Sequence, residues 1–429
     1  MKLGKRLLIG SLIGTLVALP AAVQAASAVF IHPDGTGLGH WNAARLLYAG
    51  PDGMLNWDRM ERLSAYRVHQ KNWLSSTSHA GATVHAYGKK VHYDSYGLDR
   101  EEPITALSGK PLTIMEEAMT EGIRVGIVNS GHIGEPGTGV FLARNNKRSN
   151  IAEIAVEVLE SGADLIFCGG EIHLLPDGVK GRHGEAGVRA DGRDLLEEAR
   201  GRGYTVIYTR EELLKLDPAT EKVIGIFAAR NTYNDEKEAV LKKRGLETYN
   251  PGEPTFDELV AKALAVLAHD PERDFFLVAE EEGTDNFSNK TNARGMLDAM
   301  GRADRAIGLT MDFITANPER PTLLVVAADT DAGHPAIWAP RNADGSFTLP
   351  ERTSSGAELD GIEGMGGKPF MSQPDAYGNR YPFGIAWATS GDFQGSVVAK
   401  AHGYGSEHLG VTVDNTGIYP ILYSVLFED

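Results

Sequence analysis

Six short apolar runs punctuate the chain: SAVFIH (27–32), IRVGIVN (123–129), DLIFC (164–168), VIGIFA (223–228), FFLVA (275–279) and TLLVVAA (322–328). They are too short for buried helices and read as strands. Between them lie LTIMEEAMTEG (112–122), IAEIAVEVLESG (151–162) and FDELVAKALAVLAHD (256–270), whose apolar residues recur at helical spacing. Strands apolar on both faces, alternating with amphipathic helices, call for a sheet covered on both sides. The expected fold class is therefore α/β: a three-layer α/β/α sandwich around a large, mostly parallel sheet. The stretch 335–400, rich in Gly and Pro with few periodic runs, interrupts the alternation and is read as a long insertion near the site or at a subunit contact. With no internal repeat or low-complexity linker, residues 26–429 are expected to form one domain.

The opening MKLGKRLLIGSLIGTLVALPAAVQA has a basic start, an apolar run and small residues at Val23 and Ala25, the pattern of a secretory signal spanning 1–25. Its apolar run is short for a membrane span, and no other segment is suited to cross a bilayer. The expected location is the periplasm or the medium, with no membrane contact after cleavage. Loss of Lys2, Lys5 and Arg6 would take the formal net charge from −16 to −19. Such an acidic chain does not hold nucleic acid through a general basic face. It also repels anionic substrates at long range, so a phosphate site must be built locally from metal ions or a few arginines. Cys168 is the only cysteine, which excludes an internal disulfide; within LIFC it reads as a small buried hydrophobe.

Acids follow the strands. SAVFIH runs into Asp34, GIVNSGHIG into Glu135, FFLVA into Glu280 and TLLVVAA into Asp329, with Asp285 five residues after Glu280. In open α/β sheets, ligands bind at the carboxyl ends of strands. One acid there is an ordinary turn residue or helix cap. Several converging acids repel one another and require cations, and hard divalent cations suit clustered oxygen ligands. Two nucleotide motifs fail: DGTGLGH has His40 where a dinucleotide fingerprint needs its third glycine, and the Gly81 to Gly88 spacing is too long for a P-loop.

The stretch SSTSHAGATVHAYGKK (75–90) brings Ser76, Thr77 and Ser78 to the start of a small-residue helix. A hydroxyl there is either a cap or, near a cation and the helix dipole, a nucleophile.

Together with HPDGTG (32–37), EPGTGVFLARNNKR (135–148), GADLIFCGGE (162–171), AEEEGTDNFSN (279–289), VAADTD (326–331) and GSEHLG (405–410), this stretch resembles the alkaline phosphatase family. The resemblance runs from about residue 27 to the C-terminus and is weakest over 172–255 and 335–400. It implies a metal-dependent phosphomonoester hydrolase, working as a homodimer on small phosphate esters through a phosphoserine at alkaline pH. Ser78 is implied as the nucleophile, because its spacing to Gly88 and Lys90 fits, and Arg148 as the arginine that forks phosphate oxygens. One metal would be held by Asp34, Ser78 and Asp329, a second by Asp285 and His408, and a third by Asp34, Glu135 and Glu280 with Thr138 near it. Where the family usually places metal-ligand histidines, this chain has Asn289 and Thr330. Family cofactors are Mg and Zn; oxygen donors in place of imidazole favour Mg, Mn or Ca. His32, His79, His334, His402 and Asp331 are candidates to restore a ligand. The alternatives are a phosphodiesterase of the same superfamily and a non-catalytic periplasmic binder of phosphate or metal; a sulfatase is disfavoured because Cys168 lacks the Pro and Arg context of a modified nucleophile.

Overall fold

In a computed structural model that describes residues 26–341 and 346–428, all six apolar runs are strands. The expected signal peptide lies outside those residues. In chain order the strands are β1 (Ser27–Pro33), β2 (Arg62–Arg67), β3 (Arg124–His132), β4 (Leu165–Gly169), β5 (Thr205–Ile207), β6 (Val223–Ile226), β7 (Phe275–Glu281), β8 (Thr322–Val326), β9 (Pro335–Trp338), β10 (Glu358–Gly361), β11 (Gly364–Met365), β12 (Phe370–Met371), β13 (Pro382–Trp387), β14 (Val398–Gly403) and β15 (Thr412–Asp414). Ten of them make one sheet in the order β15-β2-β14-β8-β1-β7-β3-β4-β6-β5. Its pairings are parallel except those of β14, which runs antiparallel to both β8 and β2.

Alternate residues of β1 enter two separate cores. Ala28 and Phe30 pack with the helices Ser78–Tyr87, Ile114–Thr120, Ile151–Glu160 and Ile418–Phe427. Val29 and Ile31 face the helices Leu38–Tyr48, Phe256–Leu267 and Ala293–Ala316. Helices therefore cover both faces, as the doubly apolar strands require. The helix Ser78–Tyr87 is set at both ends: Thr77 Oγ1 accepts the Ala80 N–H at 3.2 Å, and Gly88 leaves it in the left-handed region at φ 67°. The stretch read as an insertion contributes its own small antiparallel sheet, in which β13 pairs with β9, β10 and β12.

Register positions the site. Ile31 of β1 lies beside Ala279 of β7 and Val326 of β8, and Asn129 of β3 lies beside Glu280. The four central strands thus end level, and the residues just past each carboxyl end are delivered to one edge.

Candidate active site

Asp34, Glu280, Glu282, Asp285 and Asp329 are buried at that edge. The Gly35 N–H is shared between Asp34 Oδ1 at 2.9 Å and Asp329 Oδ1 at 3.3 Å, which ties the ends of β1 and β8 together. Yet Asp34 Oδ2, Glu280 Oε1, Glu282 Oε2, Asp285 Oδ1 and Asp329 Oδ2 are buried with no hydrogen-bond partner among the described residues. Burial pushes the carboxyls of Asp34, Glu282, Asp285 and Asp329 above their ordinary range; neighbouring acids push the same way on the first three, while at Asp329 a hydrogen bond with Asp34 works against the rise. Glu280 is pushed up to about 8, again chiefly by burial. Unpaired buried carboxylates are costly, and oxygen donors in this number fit hard divalent cations. Ligand atoms of Asp34, Glu282 and Asp285 lie within 4.8 Å of one another, as do those of His32, Asp34 and Glu280.

Glycines let the surrounding backbone close on these acids. A Cβ on Gly81 would stand 2.4 Å from Asp329 Cβ, so the first turn of the helix Ser78–Tyr87 rests on the acid following β8. In that turn the Ser76 Oγ accepts from the Gln70 amide at 2.7 Å, while Thr77 caps the helix and donates to Tyr93 O at 2.7 Å. Ser78, buried at the first helical position, has no such bond among the described residues. The Arg148 Nη2 lies 3.7 Å from Glu135 Oε2. Burial works against its charge, but Glu135, Glu282, Asp34 and Asp285 outweigh this and hold the guanidinium protonated. Its field also reaches His79, next to the serine: burial and then Arg148 push that imidazole down to about 3. Burial would raise Glu135, but His132 at 3.0 Å and Arg148 keep it below its ordinary range.

Other expected residues gather at the same place. Thr138 accepts from the Asn129 amide at 2.9 Å, and that amide also donates to Glu280. Asn289 Nδ2 donates to Asp285 Oδ2 at 2.8 Å and to Asp392 Oδ1 at 3.2 Å, with its own Oδ1 unpaired. Thr330 is buried and its hydroxyl turns to Asp329 Oδ1 at 3.5 Å.

His408 must be corrected. β14 runs antiparallel to β8, from Lys400 beside Val326 to Gly403 beside Leu323, so the chain after it emerges at the opposite edge of the sheet. His408 is exposed there and cannot join Asp285. His402, paired with Leu324, is carried away from the site by the same strand. Asp331 and His334 bond each other at 2.8 Å; Asp331 also accepts the Ser396 N–H at 2.7 Å and so fastens the 335–400 stretch.

Two residues went unforeseen. Asp392, from the aperiodic SGDFQG, meets Asp285 and Asn289 where His408 was expected, and no sequence signal marked it. Glu282 had a signal in strand alternation: two residues beyond Glu280 it returns to the same face, whereas Glu281 points away to a buried pair with Arg302 at 2.9 and 3.1 Å.

The alkaline phosphatase family model matches residues 26–339. A membrane-bound alkaline phosphatase of Bombyx mori is 26% identical over 96% of this chain and 79% of its own length. The tissue-nonspecific isozyme of Gallus gallus is 25% identical over 69% of this chain and 62% of its own. Among solved structures, the alkaline phosphatase of the Antarctic bacterium TAB5 superposes with TM-score 0.71 at 18% identity, covering 95% of this chain and 100% of that one. A variant of the same enzyme with Mg bound gives TM-score 0.68 at 20% identity over 94% and 99%. The enzyme of Thermus thermophilus gives 0.72 at 19% identity over 95% and 92%. With the family model spanning most of its length and its large mostly parallel sheet shared with these enzymes, the chain belongs to the alkaline phosphatase family of phosphoric monoester hydrolases.

Proposed function

We propose that this chain hydrolyses small phosphate monoesters at alkaline pH through a phosphoserine formed on Ser78, at a centre that holds divalent cations. The observation that supports this most is the convergence of unpartnered buried carboxylate oxygens from separate strand ends on the hydroxyl-bearing turn of the helix Ser78–Tyr87. Asp34 and Asp329 would hold one cation beside Ser78. Asp285, Asn289 and Asp392 would hold a second, and Asp34, Glu135, Glu280 and Glu282 a third with Thr138 near it. When bound, the cations neutralise the acids, attract the phosphate and ease charge build-up on the entering and leaving oxygens.

Ser78 attacks phosphorus in line: its Oγ–P bond forms as the ester P–O bond breaks, and the alcohol departs on the opposite side. The positive end of its helix favours the charge that develops on Oγ. Arg148 donates to the equatorial phosphoryl oxygens and holds them against rotation. Water then cleaves the phosphoserine, releasing inorganic phosphate and returning the Ser78 hydroxyl. The oxygen-only set Asp285, Asn289 and Asp392 fits Mg, Mn or Ca better than Zn. We extend the reading to export directed by residues 1–25, a single catalytic domain over 26–429 and a homodimeric working unit.

Acid quenching of protein incubated with labelled phosphate tests the covalent step. Wild type should retain label on Ser78, and Ser78→Ala should retain none while staying folded; label on the variant would refute the assignment.

A further inference from the structure

We propose that His32 is itself a metal ligand, with Nε2 joining Asp34 and Asp329 on one cation while Nδ1–H donates to Glu280. This rests on the reading above that the acidic cluster holds divalent cations. His32 lies in β1, fully buried, beside Glu280 of β7. Its Nε2 is 3.7 Å from Asp34 Oδ1 and 3.6 Å from Asp329 Oδ1, and its Nδ1 is 3.6 Å from Glu280 Oε1. Both ring nitrogens are buried without a hydrogen-bond partner among the described residues.

Those separations are too long for hydrogen bonds. They are close to the spacing of two atoms that share one cation, since ligands about 2.0–2.2 Å from a metal stand roughly 3–3.5 Å apart. A small contraction around a cation would therefore bring Nε2, Asp34 and Asp329 into contact with it. The other nitrogen then has a natural role, because ligating imidazoles commonly donate their second N–H to a carboxylate, which fixes tautomer and ring orientation. The ring is already held: it stacks on Phe30 at 5.8 Å and meets His85 edge-on at 5.6 Å. Gly137 closes over it, since a Cβ there would stand 2.5 Å from His32 Nδ1 and 1.9 Å from Glu280 Oε1. Thr330 offers this cation only a hydroxyl turned to Asp329, so His32 is the nitrogen donor within reach of Asp34 and Asp329. A mixed nitrogen and oxygen set beside the oxygen-only set around Asp285 gives the molecule two unlike metal positions.

The test titrates metal-stripped full-length protein with Zn2+, alongside His32→Gln and His32→Asn, and records X-ray absorption at the zinc edge. The expected result is imidazole scattering in the wild type, lost in either variant, with affinity at one metal position falling by about tenfold or more. Thermal unfolding of the metal-free proteins shows whether the variants fold. Unchanged stoichiometry and affinity in a folded variant would overturn the proposal. So would wild-type zinc without imidazole scattering, a result obtained without any variant. Failure of the wild type to bind any divalent cation would instead bring down the metal-centre reading as a whole.

Discussion

Glu280, Glu281 and Glu282 are adjacent in sequence and opposite in role. Glu281 forms a buried bidentate pair with Arg302, whereas Glu280 and Glu282 each leave an oxygen unpartnered at the site. Removing one partner of a buried pair strands the other, so Glu281→Gln should lower stability by about 3–5 kcal/mol with metal content unchanged. Glu280→Gln and Glu282→Gln should do the reverse, losing metal while the metal-free protein keeps or gains stability, because an unpaired buried acid becomes a neutral amide. Denaturant titration and elemental analysis of the three variants separate the roles; equal effects at all three would contradict them. Ser78→Ala should lower turnover by about three orders of magnitude or more with no change in unfolding midpoint, checked by steady-state kinetics. Asp34, Glu135, Glu280, Asp285 and Asp329 were legible in the sequence because each closely follows an apolar run. Asp392 was not, since its neighbours have no period and only the fold brings it to Asp285.

The helix Ser78–Tyr87 shows why small residues are needed where a helix abuts a sheet edge. Gly81→Val would push a side chain into Asp329 and should cost about 1–3 kcal/mol as overpacking. It should also shift the serine and reduce kcat far more than a substitution on the outer surface of the same helix; kinetics and thermal unfolding read both effects. Glu238, in the helix Glu238–Arg244, and Asp360 of β10 are buried together near the start of the helix Ala293–Ala316, where Asp360 accepts the Ala293 N–H at 2.8 Å. Burial, and then Asp360, push Glu238 up to about 9, and burial pushes Asp360 up to about 6. Both folded values exceed the unfolded ones, so the folded state binds more protons and stability falls as pH rises from about 4.5 toward 9. Glu238→Gln should flatten that fall in a series of unfolding curves; an unchanged slope would refute the pairing. The main strands and helices were legible because their apolar periods are strong. β14 was not: its run VAKAH mixes charge and small residues, and the antiparallel turn it makes is what removes His408 from the site.

Across the whole molecule, the candidate site lies at one edge of the sheet, fed by parallel strands β8, β1, β7 and β3 in spatial order. Parallel strands deliver every carboxyl end to the same side, which is how acids separated by nearly three hundred residues in sequence meet at one edge. The fold class was readable from alternation alone. The small sheet of β9 to β13 was not, because its strands are short and lack a sustained apolar pattern. Whether this edge is a divalent-cation centre for phosphomonoester hydrolysis is read by stripping the protein of metal. Hydrolysis of p-nitrophenyl phosphate at alkaline pH is then measured after separate refilling with Zn, Mg, Mn and Ca. Activity should vanish on stripping and return with divalent cations, including a hard one such as Mg or Mn. Full activity in the stripped protein, or none with any metal, would show that this edge is not a divalent-cation centre for phosphomonoester hydrolysis.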